Sequence, residues 1–330
     1  MSQLDGFGEL TPDHFINAVE HAVNVPMTGL LSPLPSYINR VYEMQDMDGR
    51  RLIAKFYRPG RWSMEALQDE HAYILDCAED EIPVIPPMTL ANGNTLDQTK
   101  DIYFAVFPKK FGREFEINED EDWKRMGRVI ARMHVAGGKK EAQARLRLHP
   151  DEAICRDIIQ LTEGGYIPPT YRDSFQTVTK QILAICLPLF EDVSDIRIHG
   201  DCHQKNLIYR PDEGIMMIDF DDMMRGPAVQ DLWLFLPDHA NGSRREIDMI
   251  LDGYFQFREL DMKELKLIEP LRAMRMIYFL AWLARQSRDY QFKKNFPDWG
   301  SDQYWKKEIS DLYTQLQVIE AHMSQGNTML

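Results

Sequence analysis

The chain has 330 residues, enough for a large core in two domains or one two-lobed domain. Hydrophobic residues make up 44% and charged residues 27%, the balance of a folded globular protein, which argues against disorder. A net charge of −14, with basic doublets short and scattered, argues against a nucleic-acid partner.

The opening MSQLDGFGELTPDHF has neither a basic n-region nor an apolar h-region, so no secretory signal is expected. Residues 39–59 hold two strand-like runs around Asp48-Gly49, a hairpin signal. In the second run Leu52, Ala54 and Phe56 share one face, and Ile53, Lys55 and Tyr57 share the other. A helix is expected from about Ser63 to Asp80, with Leu67, His71, Ile74, Leu75 and Ala78 at helical spacing and Glu70 bordering that stripe. DIYFAVFPKKFG reads as a strand ending at Pro108.

From about residue 109 the pattern turns helical. Trp123, Met126, Val129, Ile130 and Met133 mark a helix over 123–137, and 171–192, 228–237, 245–258, 264–288 and 302–323 read as further helices. Short strands are expected at 196–199 and 214–220. The most apolar run, MIYFLAWLA at 276–284 between Arg275 and Arg285, is too short for roughly 30 Å of hydrocarbon, so it reads as a buried helix and no membrane span is expected. Cys77, Cys155, Cys186 and Cys202 form no CxxC pair, which fits a reducing cytoplasm. The expectation is a small β-rich lobe over 1–108 and a larger helical lobe over 109–330.

One stretch concentrates chemistry: IHGDCHQKNLI, residues 198–208. As a zinc site, His199, Cys202 and His203 are poorly spaced to converge on one tetrahedral ion, and no fourth ligand is evident. As a nucleophile, Cys202 lacks an oriented base nearby. A phosphoryl-transfer reading uses Asp201, Asn206 and Asp219 instead, in the order H-x-D-x-x-x-x-N and then D-F. A carboxylate must orient the attacking hydroxyl and accept its proton. An amide oxygen and a second carboxylate must hold Mg²⁺ on the phosphates. The ordered set with flanking strands is a far more specific signal than any one of its parts.

IHGDCHQKNLIY, MMIDFDD and GPAVQDLW together resemble the signature of aminoglycoside phosphotransferases, choline kinases and their relatives, and GRVIARMH resembles the helix that precedes this loop there. PLPSYINRVYEM, KFYRPGRW and IEPLRAMRMIYFLAWLARQ are similar to the bacterial stress response kinase A family, over roughly residues 25–310. The resemblance implies an α+β, two-lobed protein-kinase-like fold and a cytoplasmic, monomeric, ATP- and Mg²⁺-dependent Ser/Thr protein kinase. It implies Asp201 as proton acceptor, Asn206 and Asp219 as Mg²⁺ ligands, and Ser36 at the nucleotide phosphates. Lys55 would reach the α- and β-phosphates, with Glu70 as its ion-pair partner and Asp231 bracing the catalytic loop. The bland alternatives are a solvated strand lysine for Lys55, a surface helix charge for Glu70 and a helix N-cap for Asp231, a role that can coexist with bracing; the face of Lys55 set by alternation and the inner-edge place of Glu70 favour the functional roles.

Two departures stand out. SPLPSYINRVY has no glycine where a phosphate-covering loop usually brings backbone N–H groups close. Only residues 220–230 lie between Asp219 and Asp231, too few for an activation loop. The alternatives are the same chemistry on a small alcohol (amino alcohol, sugar or antibiotic) and a non-catalytic nucleotide-binding scaffold.

Overall fold

The computed structural model describes residues 7, 10–289 and 292–326. In chain order its elements are helix α1 (Pro12–Val23), strands β1 (Met27–Leu34), β2 (Arg40–Asp46) and β3 (Arg51–Phe56), and helix α2 (Met64–Glu79). Strands β4 (Asp97–Thr99), β5 (Ile102–Pro108) and β6 (Arg113–Glu114) follow, then helices α3 (Asp120–Gly137), α4 (Cys155–Glu163) and α5 (Pro169–Phe190). After strands β7 (Ile196–Ile198), β8 (Leu207–Arg210), β9 (Gly214–Met217) and β10 (Met224–Gly226) come helices α6 (Gln230–Trp233), α7 (Arg244–Tyr254), α8 (Ile268–Gln286), α9 (Phe292–Asn295) and α10 (Asp302–Gly326). The N-terminal part is thus a β-sheet region and the C-terminal part mainly helical. The chain divides into two compact units, one of residues 1–117, 135–145 and 204–223, the other of 118–134, 146–203 and 224–330.

The first unit is built on an antiparallel sheet in the order β1-β2-β3-β5-β4. The β2–β3 hairpin turns where Asp48-Gly49 predicts it. Asp46 Oδ1 accepts from the backbone N–H groups of Asp48 and Arg50, and Gly49 takes φ 82°. Alternation sorts β3 as expected: Leu52, Ala54 and Phe56 pack with Phe15 and Val19 of α1, while Tyr57 packs with Leu67 of α2. Strand β1 runs through Pro33, tolerable because β1 is an edge strand with one free side. Ser63 caps α2, its Oγ accepting from Ala66 N at 3.2 Å. A second sheet, β6-β8-β9, holds the hairpin that carries Asn206 and leads into Asp219, and Met217 N donates to Pro83 O.

The second unit centres on α8, which packs against α4, α5 and α10. Leu271, Met274, Ile277 and Leu280 of α8 share a core with Phe175 and Ile182 of α5 and Trp305 and Leu312 of α10. Two expectations need correction. The helix expected over 228–237 is a single turn, α6; Pro237 disfavours helical backbone at the residue before it. The apolar run 276–284 is buried on one face alone, and Phe279 is 47% exposed. Among the described residues no helix is long and apolar enough to cross a membrane.

Candidate active site

Lys55 sits on the central strand β3, opposite Val41 on one side and Ala105 on the other. Its side chain is buried, with Nζ 3.2 Å from Asp219 Oδ1, 3.2 Å from Asp221 Oδ1 and 3.7 Å from Glu70 Oε1. Burial alone would lower its pKa, but the Asp221, Glu70 and Asp219 carboxylates outweigh it and hold Lys55 well above the ordinary range. A solvated strand lysine does not describe this residue. Glu70 is buried too, so it is no surface charge. Its shorter pairing is with Arg145, whose Nη2 lies 2.6 Å from Oε2. Arg145 also donates from Nε to Ala66 O at 2.7 Å and from Nη1 to Asp221 O at 2.8 Å, and it stacks on Trp62 at 4.1 Å. One buried guanidinium thereby ties α2 to the loop after β9.

That loop is conformationally special. Asp219 takes the left-handed φ 61°, ψ 67°, costly for a residue with a Cβ and typical of functional loops. Its side chain is 56% exposed, whereas Asp221 is buried between Lys55, Arg61 at 3.0 Å and Asn39 Nδ2 at 3.1 Å. Burial would raise the Asp221 pKa, but Lys55, Arg61 and Arg145 more than offset it and hold the carboxyl far below the usual range. Arg61 reaches Asp222 as well, at 2.6 Å. Ser36 lies between β1 and β2, and its Oγ accepts from Asn39 N at 3.2 Å. Asn39 therefore links the Ser36 turn to Asp221. The Asn206 carbonyl accepts from Ile218 N at 3.0 Å, which fixes the backbone beside Asp219.

Asp201 belongs to the second unit. The chain leaves β7 through Gly200 at φ 82°, a conformation that suits glycine, and delivers Asp201 on the next residue. Asp231 is fully buried and accepts from His199 N at 2.7 Å and Gly200 N at 2.8 Å. His134 holds the same carboxylate at 3.1 Å and bonds Tyr254 Oη at 2.9 Å. Asp231 thus braces the loop backbone, and it is not the N-cap of α6, since Val229 occupies that position. Asp201 pairs with Arg275 Nη2 at 2.6 Å and with His203 Nε2 at 3.3 Å. Burial would raise its pKa, but His203 and Arg275 outweigh it and keep the carboxyl far below the usual range. Cys202 is buried, and burial pushes its thiol well above the ordinary value, the opposite of an activated nucleophile.

The first unit therefore gathers Glu70, Asp219 and Asp221 around Lys55, reaches Ser36 through Asn39, and sets Asn206 beside Asp219 by the backbone bond from Ile218. Asp201 stands five positions before Asn206 in the chain. The reading of motifs missed Arg145, Asn39, Arg61 and Arg275. Arg61 and Arg275 do lie inside KFYRPGRW and IEPLRAMRM, where an arginine among apolar neighbours is a signal; Arg145 has none. The candidate oxygen donors for a hard divalent cation are the Asp219 carboxylate, 56% exposed, and the Asn206 amide; among the described residues no group of three or more His, Cys, Asp or Glu could hold a metal ion.

The family model described as "Phosphotransferase enzyme family" matches residues 31–268. The chain belongs to this family. Within it, "Stress response kinase A" of Escherichia coli (strain K12) is 38% identical over 316 residues, spanning 95% of each chain. "Serine/threonine protein kinase RdoA" of Salmonella typhimurium is 35% identical over 314 residues, covering 95% of this chain and 94% of that one. Among solved structures, the amicoumacin kinase hAmiN in complex with AMP-PNP, Ca²⁺ and Ami superposes with TM-score 0.72 at 20% identity, covering 95% of this chain and 94% of that one. A microcompartment-associated aminopropanol kinase gives TM-score 0.68 at 18% identity, covering 94% and 96%. At such identities the structures share the fold, a kinase fold of the phosphotransferase family.

Proposed function

We propose that the chain is an ATP- and Mg²⁺-dependent Ser/Thr protein kinase of the stress-response type. The observation that carries the reading is Lys55, a buried cation shared among Asp219, Asp221 and Glu70, the set a nucleotide's phosphates and their metal would engage. In this reading the sheet-bearing residues 1–108 cover the nucleotide, with Ser36 and Lys55 at its phosphates and Glu70 and Arg145 fixing the lysine's surroundings. Asn206 and Asp219 would hold Mg²⁺, which when bound neutralises charge on the phosphates. Asp201 orients the acceptor hydroxyl and takes its proton. The hydroxyl oxygen forms the new bond to the γ-phosphorus, and the bond from phosphorus to the β–γ bridging oxygen breaks with its electron pair left on ADP.

The similarity to a stress response kinase and to a serine/threonine protein kinase supports a protein acceptor. The structural neighbours, an amicoumacin kinase and an aminopropanol kinase, support transfer to a small alcohol as the second reading. Incubation with Mg²⁺ and γ-labelled ATP, with and without protein substrates and a panel of alcohols, separates the two. Label on serine or threonine is the expected result. Label confined to a small alcohol, at a kcat/KM near ~10⁴ M⁻¹s⁻¹ or above, overturns it.

A further inference from the structure

Asp201 is held at both carboxylate oxygens from within its own unit, Oδ1 by Arg275 at 2.6 Å and Oδ2 by His203 at 3.3 Å. The three arginines of α8 are not alike. Arg272 donates to Asp238 O, lies 3.5 Å from Glu269 and covers the Trp233 ring at 4.9 Å. Arg285 is engaged by Asp157 and Gln160. Among the described residues Arg275 bonds to Asp201, and its side chain is 38% exposed. A guanidinium has five N–H donors in a planar fork, so most of those on Arg275 remain for a group arriving from solvent.

The surroundings of Asp201 are therefore cationic in a molecule of net charge −14. His203 adds to this, because its bond to Asp201 raises its pKa and favours the charged imidazolium. Beyond Arg275, at positions i+4 and i+7 of α8, come Phe279, 47% exposed, and the half-buried Trp282, which also packs on Phe296, whereas Tyr278 at i+3 lies under Arg285 at 5.5 Å. The Phe279 and Trp282 rings stack at 5.8 Å and 9°. A basic fork beside the base, followed by an aromatic stripe, suits an extended chain with a carboxylate near its hydroxyl and an apolar residue further along. It does not suit an ammonium-bearing alcohol, which would bring like charge against Arg275.

We propose that Arg275 is a positioning and specificity-determining residue for the acceptor. It fixes Asp201 Oδ1, so that Oδ2, with the longer contact, receives the hydroxyl proton, and its outward N–H groups bind the carboxylate of an acidic residue flanking the acceptor Ser or Thr. The inference rests on the Ser/Thr kinase reading and names the segment that kinase takes.

The test uses the full chain with Mg-ATP and three serine peptides that differ only in acidic, neutral or basic flanks, alongside an amino alcohol. Wild type should prefer the acidic peptide over the basic one by about 10-fold or more in kcat/KM, as expected for a charge-assisted bond. R275E should reverse the order, and R275A should flatten it. In R275A every peptide should lose kcat as Asp201 loosens, and the acidic peptide alone should also rise in KM. H203Q should keep the acidic preference. Peptides labelled irrespective of flank charge, or an unchanged order in R275E or R275A, overturn this inference and leave the kinase reading intact. Label entering the amino alcohol and no peptide overturns the kinase reading, and this inference with it.

Discussion

At the scale of single residues the proposed roles separate by experiment. Asp201→Asn removes a proton acceptor but no phosphate or metal contact, so Mg-ATP binding should persist while turnover falls ~10²–10⁴-fold. A variant with more than a tenth of wild-type turnover would disprove the assignment. Asp219→Ala removes an anionic ligand, so the Mg²⁺ concentration for half-maximal activity should rise; Lys55→Met should weaken ATP binding at any Mg²⁺ level. Superimposable Mg²⁺ titrations of Asp219→Ala and wild type would take Asp219 out of the metal site. Arg145→Ala leaves Glu70 buried without its 2.6 Å partner and removes the donor to the Asp221 carbonyl. Breaking a buried pair in this way costs about 3–5 kcal/mol, read as a lower denaturant midpoint. Strand alternation made the face of Lys55 legible in the sequence, while its role came from the family resemblance. Arg145 and Asn39 were not, because their partners Glu70 and Asp221 lie far away in the chain and no local pattern encodes such pairings.

At the scale of elements, legibility followed how local the cause was. The β2–β3 hairpin is set by the Asp46 carboxylate and Gly49 over a few residues, and α2 by its Ser63 cap and an apolar stripe from which Leu75, expected in it, is excluded at 41% exposure. Strands β6 and β10 are two and three residues long, paired with distant β8 and β7, and nothing in their own composition announces them. Strand β1, with Pro33 and Pro35 at its end, is not among the expected strands; its pairing with β2 at the sheet edge defines it. The glycine of GRVIARMH shows what a motif position can mean physically. Gly127 of α3 and Gly253 of α7 let the two helices touch backbone to backbone: a Cβ at Gly127 would run into the Ile250 carbonyl, and one at Gly253 into the Lys124 carbonyl. Backbone cannot swing aside as a flexible side chain can. Gly127→Ala should therefore destabilise by about 1–3 kcal/mol even though alanine favours helix, and calorimetry should show a lower Tm. An unchanged or raised Tm would mean that the crossing is looser than described.

At the scale of the whole molecule, folding stability should carry a pH signature traceable to the centre of the first unit. His71 is buried on α2, its Nε2 2.9 Å from Tyr57 Oη and its Nδ1 2.7 Å from Thr95 Oγ1. Burial, reinforced by the Lys55 and Arg145 charges, brings its pKa from 6.5 down to about 3. Between those two values the unfolded chain binds a proton that the folded chain refuses, so stability falls as pH drops through this window and is fully restored above 6.5. At pH 5 the cost is about 2 kcal/mol, from a gap of roughly one and a half pH units. His134, also buried with a lowered pKa, acts in the same direction, whereas burial raises Glu70 and gives it the opposite sign. Those contributions are common to wild type and His71→Gln. Urea denaturation of both at pH 7.5 and pH 5 isolates the His71 share: wild type should lose about 2 kcal/mol more than the variant between the two conditions. Equal losses would show that His71 takes up its proton inside the fold, and that the polar core around Lys55 admits water.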